Sequence, residues 1–394
     1  MPNFSRIFLH DSKADAVKRF HPWIFSGAIK KKDTGLREGE IVDVYSNSGE
    51  YLATGHYSPG NIAVKIFSFE KVSDIDRLFL EKFQNAYWMR KEIGLAASKQ
   101  TTCYRLINAE GDGLPGLIVD WYNGTAVLQA YSIGMYEQRS LIVECLQKVY
   151  GQDLRAVYDK SASVLSKTQI QVENQYLLGS REDGEVLEYG HRFYVDWEEG
   201  QKTGFFIDQR ENRLLLAKYV AGKRVLNTFC YSGGFSAYAV KAGASFVHSV
   251  DSSAKAIEWA DRNVSLNNPG QIPHETSAVD VFDFLKKYDG EYDVIVLDPP
   301  AFAKNLSARH QAVMAYKRLN KLALDKLRSP GILLTFSCSQ VVGLDHFQGA
   351  VTAAAIESGK PIRVLHHLTQ PPDHPVSIYH PEGLYLKGLV LIVG

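Results

Sequence analysis

The stretch "VIVLDPPAFAK", residues 294–304, decides the fold. Four apolar residues lead into Asp298, and Pro299 and Pro300 follow at once. A core strand has no use for that charge, because burying an unpaired carboxylate costs more than a core position gains. Two prolines extend neither a sheet nor a helix, so the chain must stop and turn there. The stretch therefore reads as the end of a buried strand that presents a carboxylate.

The same pattern recurs on either side of it. Through residues 186–394, strand-like runs alternate with helical ones: "RVLNTF", "GFSAYAVKAG", "FVHSVD", "SAKAIEWADRNVSLN", "YDVIVLD", a helix near 310–328, then "GILLTFSCS". Alternation of this kind predicts an α/β domain, a parallel sheet with helices on both faces. Residues 1–72 differ. Their short β-forming runs ("IFLH", "IVDVYS", "YLATGHYS", "AVKIFSF"), punctuated by glycine and proline, predict a small barrel or curled sheet. Residues 73–185 predict a central α+β domain. They open on an amphipathic helix whose Ile75, Leu78, Phe79, Phe83 and Ala86 recur at helical spacing. Two strands then flank an Asn123-Gly124 hairpin turn, and "EQRSLIVECLQKVY" follows as a second helix.

Composition narrows the class of protein. At 394 residues the chain is long enough for roughly two or three domains. Its 45 % hydrophobic and 22 % charged residues are those of a soluble globular protein. No apolar run approaches the ~20 residues that span a bilayer, and the N-terminus lacks the apolar core of a signal peptide. Cys103, Cys145, Cys230 and Cys338 are scattered, with neither zinc-site nor disulfide spacing. A reducing cytoplasm and no metal are the expectation. Lys+Arg and Asp+Glu balance at 44 each, so no overall field advertises a nucleic acid. A local basic face remains open; "KR" at 18–19 and "IKKKD" at 29–33 are the clusters near the N-terminal sheet, and such runs serve more often as solvated surface.

Open parallel sheets bind ligands beyond the carboxyl ends of their strands. Each predicted strand end here carries a polar or reactive group: the loop "NTFCYSGGFS" (227–236), Asp251, Asp280, Asp298 and the "SCS" of 337–339. The loop is neither a dinucleotide fingerprint nor a phosphate loop. Taken alone, Gly233 and Gly234 need be no more than a tight turn. Asp251, about 20 residues on, suits both hydroxyls of a ribose and equally suits a helix cap. Asp280 suits an adenine amino group. A nucleoside cofactor without phosphates, S-adenosylmethionine, satisfies all three. Asp298 would then lie beside the methyl group, with Cys338 ending the neighbouring strand. Cys338 as a buried small hydrophobe is the bland alternative, against which stand its two flanking serines. Cys145 reads as core and Cys230 as a small residue in the cofactor loop.

A thiol and a carboxyl together suit methylation at carbon 5 of a pyrimidine. That carbon is a weak nucleophile until a thiolate adds at carbon 6, and N3 then needs a proton from a carboxyl of raised pKa. A base buried in a duplex would have to be extruded; Phe302 could stack on it or simply anchor its loop.

The segments "NTFCYSGGFS", "VDSS", "DPPAFAK" and "SCS" resemble the ribosomal RNA large-subunit methyltransferase I family. "GQKTGFFIDQREN" (200–212) is similar to that family's segment before the methyltransferase sheet, "HPWIFSGAI" (21–29) to the opening of its RNA-binding PUA domain, and "LINAEGDGLPGLIVDWYNG" (106–124) to its central domain. The resemblance implies a Rossmann-like methyltransferase domain and a cytosine-C5 activity on RNA, ribosomal RNA above all. It implies Cys338 as nucleophile and Asp298 as N3 partner, with Pro299 and Phe302 lining the base site. It implies cofactor contacts from Phe206, Arg210, Asn227, Phe229, Tyr231, Ser232, Gly233, Asp251, Ser252 and Asp280. A homodimer through an exposed sheet edge is compatible with it. Two rivals stay open: an amino-group methyltransferase on an RNA base, for which Cys338 is dispensable, and a ribosome-associated binding protein whose methyltransferase fold is vestigial.

Overall fold

A computed structural model describes residues 4–394 except 167, 169, 289 and 290. The chain forms two compact units. The first comprises residues 1–189, 195–207 and 372–383; the second comprises 190–194, 208–371 and 384–394. The first two predicted segments thus fall in one unit, joined by two later stretches of chain. No helix among the described residues is long and apolar enough to cross a membrane.

The first unit holds two main sheets. The N-terminal one has six strands in the order Trp23–Phe25, Ile62–Ser68, Tyr51–Tyr57, Ile41–Ser46, Ser5–Leu9, Ile29–Lys32. Ser5–Leu9 pairs parallel to Ile41–Ser46 and the other pairings are antiparallel. Alternation sends Ile7, Leu9, Val42, Val44, Val64 and Ile66 inward, where the helix Asp11–Lys18 adds Ala14 and Val17. The second sheet has five strands, Gln175–Leu178, Ala156–Asp159, Thr125–Ala130, Leu117–Tyr122 and Cys103–Asn108. Its Asn-Gly hairpin forms as predicted: Tyr122 pairs with Thr125, and both turn residues take positive φ, 44° at Asn123 and 101° at Gly124. The helix Ile75–Glu92 starts at Asp74, whose carboxylate accepts the Arg77 N–H, and buries Phe79, Phe83 and Ala86. Helix Arg139–Tyr150 buries Cys145, which is a core residue.

Arg90 is fully buried on that first helix. Its guanidinium donates to both oxygens of Asp112, with Nη2 to Oδ2 at 2.7 Å, and to the carbonyls of Arg105 and Asp373 at 2.8 Å each. The guanidinium, the carboxylate and the two carbonyls satisfy one another, and residues far apart in sequence are tied together.

The second unit is one seven-stranded sheet. Its strands are β1 (Arg224–Thr228), β2 (Phe246–Asp251), β3 (His274–Ala278), β4 (Tyr292–Leu297), β5 (Leu327–Ser337), β6 (Ile362–Leu368) and β7 (Lys387–Val393), in the order β3-β2-β1-β4-β5-β7-β6. The predicted parallel strands β1 to β5 all pair parallel. β7 inserts antiparallel beside β5, and β6 pairs antiparallel at the edge. Helices α1 (Gly234–Lys241), α2 (Ala254–Leu266), α3 (Val281–Lys287), α4 (Arg309–Lys326) and α5 (Leu344–Ser358) fill the crossovers. Both faces are covered, so the central strands read as continuous apolar runs. Ile295 and Leu297 face the core made with α3, α4 and α5; Val294 and Val296 face the core made with α1 and α2. All four are completely buried, and burial of each contributes about 1.5–3 kcal/mol.

Removing Arg90 leaves the Asp112 carboxylate buried without its ion-pair partner, with the Asn108 N–H at 2.6 Å as its remaining hydrogen bond among the described residues. Arg90→Met is expected to destabilise the first unit by about 3–5 kcal/mol, against a smaller loss for Asp112→Asn, as measured by urea unfolding.

Candidate active site

The strand register lines up the polar groups along one edge of the sheet. Thr228 sits beside Val250 of β2 and beside Leu297 of β4, and Leu297 sits beside Thr335 of β5. Whatever follows these residues emerges at the same edge.

After β1 the chain makes a tight, unusual loop. Phe229, Tyr231 and Gly233 all have positive φ, at 53°, 45° and 75°. For the two aromatic residues this is a strained conformation, of the kind that concentrates at functional sites. At Gly233 it is obligatory for a second reason: a Cβ would lie 2.8 Å from Ala260 Cα. Asp251, the last residue of β2, holds the loop. Its Oδ2 accepts the Tyr231 N–H at 3.0 Å and its Oδ1 accepts the Ser253 N–H at 2.9 Å, while the carboxylate stays partly exposed. Ser253, and not Asp251, caps α2. Ser232 is buried and its carbonyl accepts from Asn263 at 2.9 Å. Asn227 lies within β1 rather than after it. Its Nδ2 donates to Ser236 Oγ at 2.9 Å, and its buried Oδ1 has no partner among the described residues.

The predicted cofactor residues are not all gathered here. Asp280 does not end β3, which stops at Ala278; it is an exposed N-cap of α3 that accepts the Asp283 N–H at 3.1 Å. Ser252 is exposed beside Asp251. Arg210 is completely buried at the start of the helix Arg210–Leu216. Phe206 belongs to the first unit. The chain just before it is firmly anchored within that unit. Lys160 donates to the Trp197 and Gly200 carbonyls, and Thr203 donates to Asp120 at 2.6 Å.

Asp298 and Cys338 each stand one residue beyond a strand, β4 and β5. The Cys338 Sγ lies 3.8 Å from the Pro299 carbonyl. Asp298 Oδ1 accepts from Gln209 Nε2 at 2.9 Å, and Gln209 Oε1 accepts from Asn212 at 2.6 Å. Asp208 is beside them, accepting from the Tyr385 hydroxyl at 2.7 Å. Burial, and next the Asp208 charge, push the Asp298 carboxyl up to about 7, against the pull of Gln209 and Arg213. Burial first, then the charges of Asp298 and Asp208, push the Cys338 thiol up to about 11; Lys387 pulls the other way. Lys387 is itself buried, bonded to the Ser339 and Tyr385 carbonyls at 2.7 Å each. Phe302 packs on Tyr316 at 4.7 Å and Phe282 at 6.2 Å, so its ring is a fixed wall.

Sequence reasoning missed Asp208, Gln209, Asn212, Tyr385 and Lys387. The first three lie inside "GQKTGFFIDQREN", where five polar side chains in a row, 208–212, were the available signal. The last two sit at the head of β7, whose antiparallel return was not foreseen.

The residues present fit a nucleoside carrying no phosphates. Asp251 offers acceptors at the tip of β2, and the unpartnered Asn227 Oδ1 is an unused buried acceptor one strand over. Comparison with known proteins agrees. Residues 108–386 match the S-adenosylmethionine-dependent methyltransferase family, and residues 7–69 match the PUA-like domain. The chain is 39 % identical to ribosomal RNA large subunit methyltransferase I of Klebsiella pneumoniae, covering 98 % of this chain and 97 % of the relative. It is 38 % identical to the protein of that name from Pseudoalteromonas atlantica, over 98 % of each. A solved chain from Streptococcus mutans, described as a candidate SAM-dependent methyltransferase, superposes with a TM-score of 0.84 at 26 % identity, covering 98 % of this chain and all of that one. Another candidate methyltransferase, solved with SAH, gives 0.83 at 27 % over the same shares. With a methyltransferase signature over most of its length and relatives matched from end to end, the chain belongs to the ribosomal RNA large subunit methyltransferase I family, dependent on S-adenosylmethionine.

Proposed function

We propose that the protein methylates carbon 5 of a cytosine in large-subunit ribosomal RNA, through a transient bond between Cys338 and carbon 6. The observation that carries this is the thiol and the carboxyl at the ends of neighbouring strands, both away from their ordinary pKa. The substrate follows the names of the relatives and the PUA-like domain. Asn227, Asp251, Ser252 and the loop 229–233 would hold the cofactor. S-adenosylmethionine supplies an electrophilic methyl on a positively charged sulfur.

The chain's own residues handle the protons. Between about pH 7 and 11 Asp298 and Cys338 hold one proton between them, and at rest the sulfur keeps it. As the cytosine seats, the Cys338 proton passes to Asp298 and the sulfur bonds to carbon 6. Asp298 then gives the proton to N3, which accepts the electrons displaced from the ring and makes carbon 5 nucleophilic. After methylation, water takes the proton from carbon 5, the electrons of that C–H bond restore the C5–C6 double bond, and the C6–S bond breaks to release the thiolate, which takes back the proton from N3. Lys387 supplies the nearby positive charge that this thiolate needs. Gln209 keeps Asp298 aimed by its hydrogen bond, and Pro299 and Phe302 form rigid walls for the base.

Incubation of unmodified ribosomal RNA with labelled S-adenosylmethionine, followed by nucleoside analysis, is expected to place the label in 5-methylcytosine. Cys338→Ala should abolish transfer while S-adenosylmethionine still raises the melting temperature. Label in an N-methylated base, or label that survives the substitution, overturns the covalent reading. Asp298→Asn should cost about 10²–10⁴-fold in rate.

The raised carboxyl also sets a pH dependence. Below about 7 both groups are protonated and no base remains for the thiol, so kcat/KM should fall tenfold per unit as pH drops through 7. Above it the rate should level off. A profile flat from pH 5 to 8 would remove Asp298 from the proton path.

A further inference from the structure

The proton that leaves carbon 5 passes to water, and a water that removes a proton from carbon needs a base behind it. Asp298 is badly placed for that work. A carboxyl bonded to N3 lies in the plane of the ring, whereas the hydrogen on a tetrahedral carbon 5 stands out of that plane. Cys338 is committed, its sulfur bonded to carbon 6. Lys387 is occupied as a donor to the Ser339 and Tyr385 carbonyls. Asp208 is the other carboxylate of the site. It belongs to the second unit, with Asp298, Cys338 and Tyr385. Its charge acts on the Asp298 carboxyl and on the Cys338 thiol alike, which puts it close to both.

The two oxygens of Asp208 are not equivalent. Oδ2 accepts from the Tyr385 hydroxyl at 2.7 Å. Tyr385 is itself fixed at its backbone: its N–H donates to Gln370 Oε1 at 3.2 Å, and its carbonyl accepts from Lys387 Nζ at 2.7 Å. The carboxylate is therefore held in one orientation. Oδ1 is buried and has no hydrogen-bond partner among the described residues. A buried carboxylate oxygen left without a donor is costly, and native proteins tolerate few such atoms outside functional sites. The neighbouring side chain is already part of the machinery, since Gln209 donates to Asp298 at 2.9 Å. Two adjacent residues thus divide the work: one aims the acid, and the other carries a spare acceptor beside it.

We propose that Asp208 is the base of the release step, accepting through one water held on Oδ1 the proton that leaves carbon 5. This rests on the reading of the reaction as covalent methylation of cytosine at carbon 5. In the step, the C5–H bond breaks and its electrons form the C5–C6 double bond, while the C6–S bond breaks and its electrons stay on sulfur. The proton goes to the water, and one of the water's own protons goes to Oδ1. Asp208 returns it to solvent as the product leaves.

The test is Asp208→Asn, incubated with unmodified ribosomal RNA and methyl-labelled S-adenosylmethionine and run on a denaturing gel. Asparagine keeps the shape of the side chain and takes up no proton. The variant is expected to transfer its methyl group once and then stall. Label should migrate with a covalent protein–RNA complex, and multiple turnover should fall at least about a hundredfold. Wild type releases its product and should show little of that complex. A role confined to the electrostatics of the thiol would alter the first transfer and its pH profile without trapping a methylated complex. The rise in melting temperature on adding S-adenosylmethionine shows that the variant is folded. If it is not, Asp208→Glu keeps a carboxylate displaced by one methylene. Its turnover on RNA deuterated at carbon 5 of cytosine should be at least about twofold slower than on ordinary RNA, because removal of that proton has become limiting. A folded Asp208→Asn that turns over like wild type, or that slows without accumulating the methylated complex, overturns the proposal, as does a slowed Asp208→Glu with no isotope effect. Wild type that labels a base other than cytosine, or Cys338→Ala that still transfers, fails the covalent reading beneath it. Formation of 5-methylcytosine by wild type, with no trapped complex in the folded asparagine variant, fails Asp208 alone.

Discussion

The parallel pairing of β4 with β5 is the constraint on which the site depends. It is held by side chains that have nothing to do with chemistry. Val294, Ile295, Val296 and Leu297 alternate between two cores and leave no freedom to slip, because a one-residue shift would exchange the faces of every one of them. With the register locked, Asp298 and Cys338 are delivered to the same edge one residue past their strands. The two prolines add stiffness directly after Asp298, where the chain leaves the sheet.

The electrostatics follow from that placement. Neither group is perturbed by a dedicated partner alone. Burial is the leading cause for both, and each carboxylate near the thiol adds to it. Asp208 raises both groups at once and is itself held by Tyr385. Burial therefore favours the protonated form of both groups, and of the two the sulfur holds its proton more tightly. A permanently ionised thiol would be open to oxidation, and the arrangement avoids that.

Much of this was legible in the sequence, for physical reasons that can be named. Continuous apolar runs between turn signals identify buried parallel strands, so β1, β2, β4 and β5 were foreseen. Asn123-Gly124 specifies its hairpin locally, because few residues other than asparagine and glycine accept two successive positive φ values. What depends on long-range return of the chain was not legible. Nothing in "KGLVLIV" says that β7 runs antiparallel into the sheet, and so Lys387 and Tyr385 were missed beside the thiol. Asp208 and Gln209 look like ordinary polar residues at a helix start; only their approach to Asp298 gives them meaning. Asp280 was placed one element too early, because a short polar strand such as "HETSA" does not announce where it stops.

The path of the backbone has a consequence for how such a protein can be taken apart. The chain passes from one compact unit to the other after residues 189, 194, 207, 371 and 383. No single cut therefore yields the second unit as one contiguous piece, and a fragment beginning at residue 190 would lack most of the first unit while carrying two orphaned pieces of it, 195–207 and 372–383. Shuffling the two units between relatives as cassettes would require several joints to match at once. In this architecture neither unit can be expressed or removed by itself as one stretch of chain.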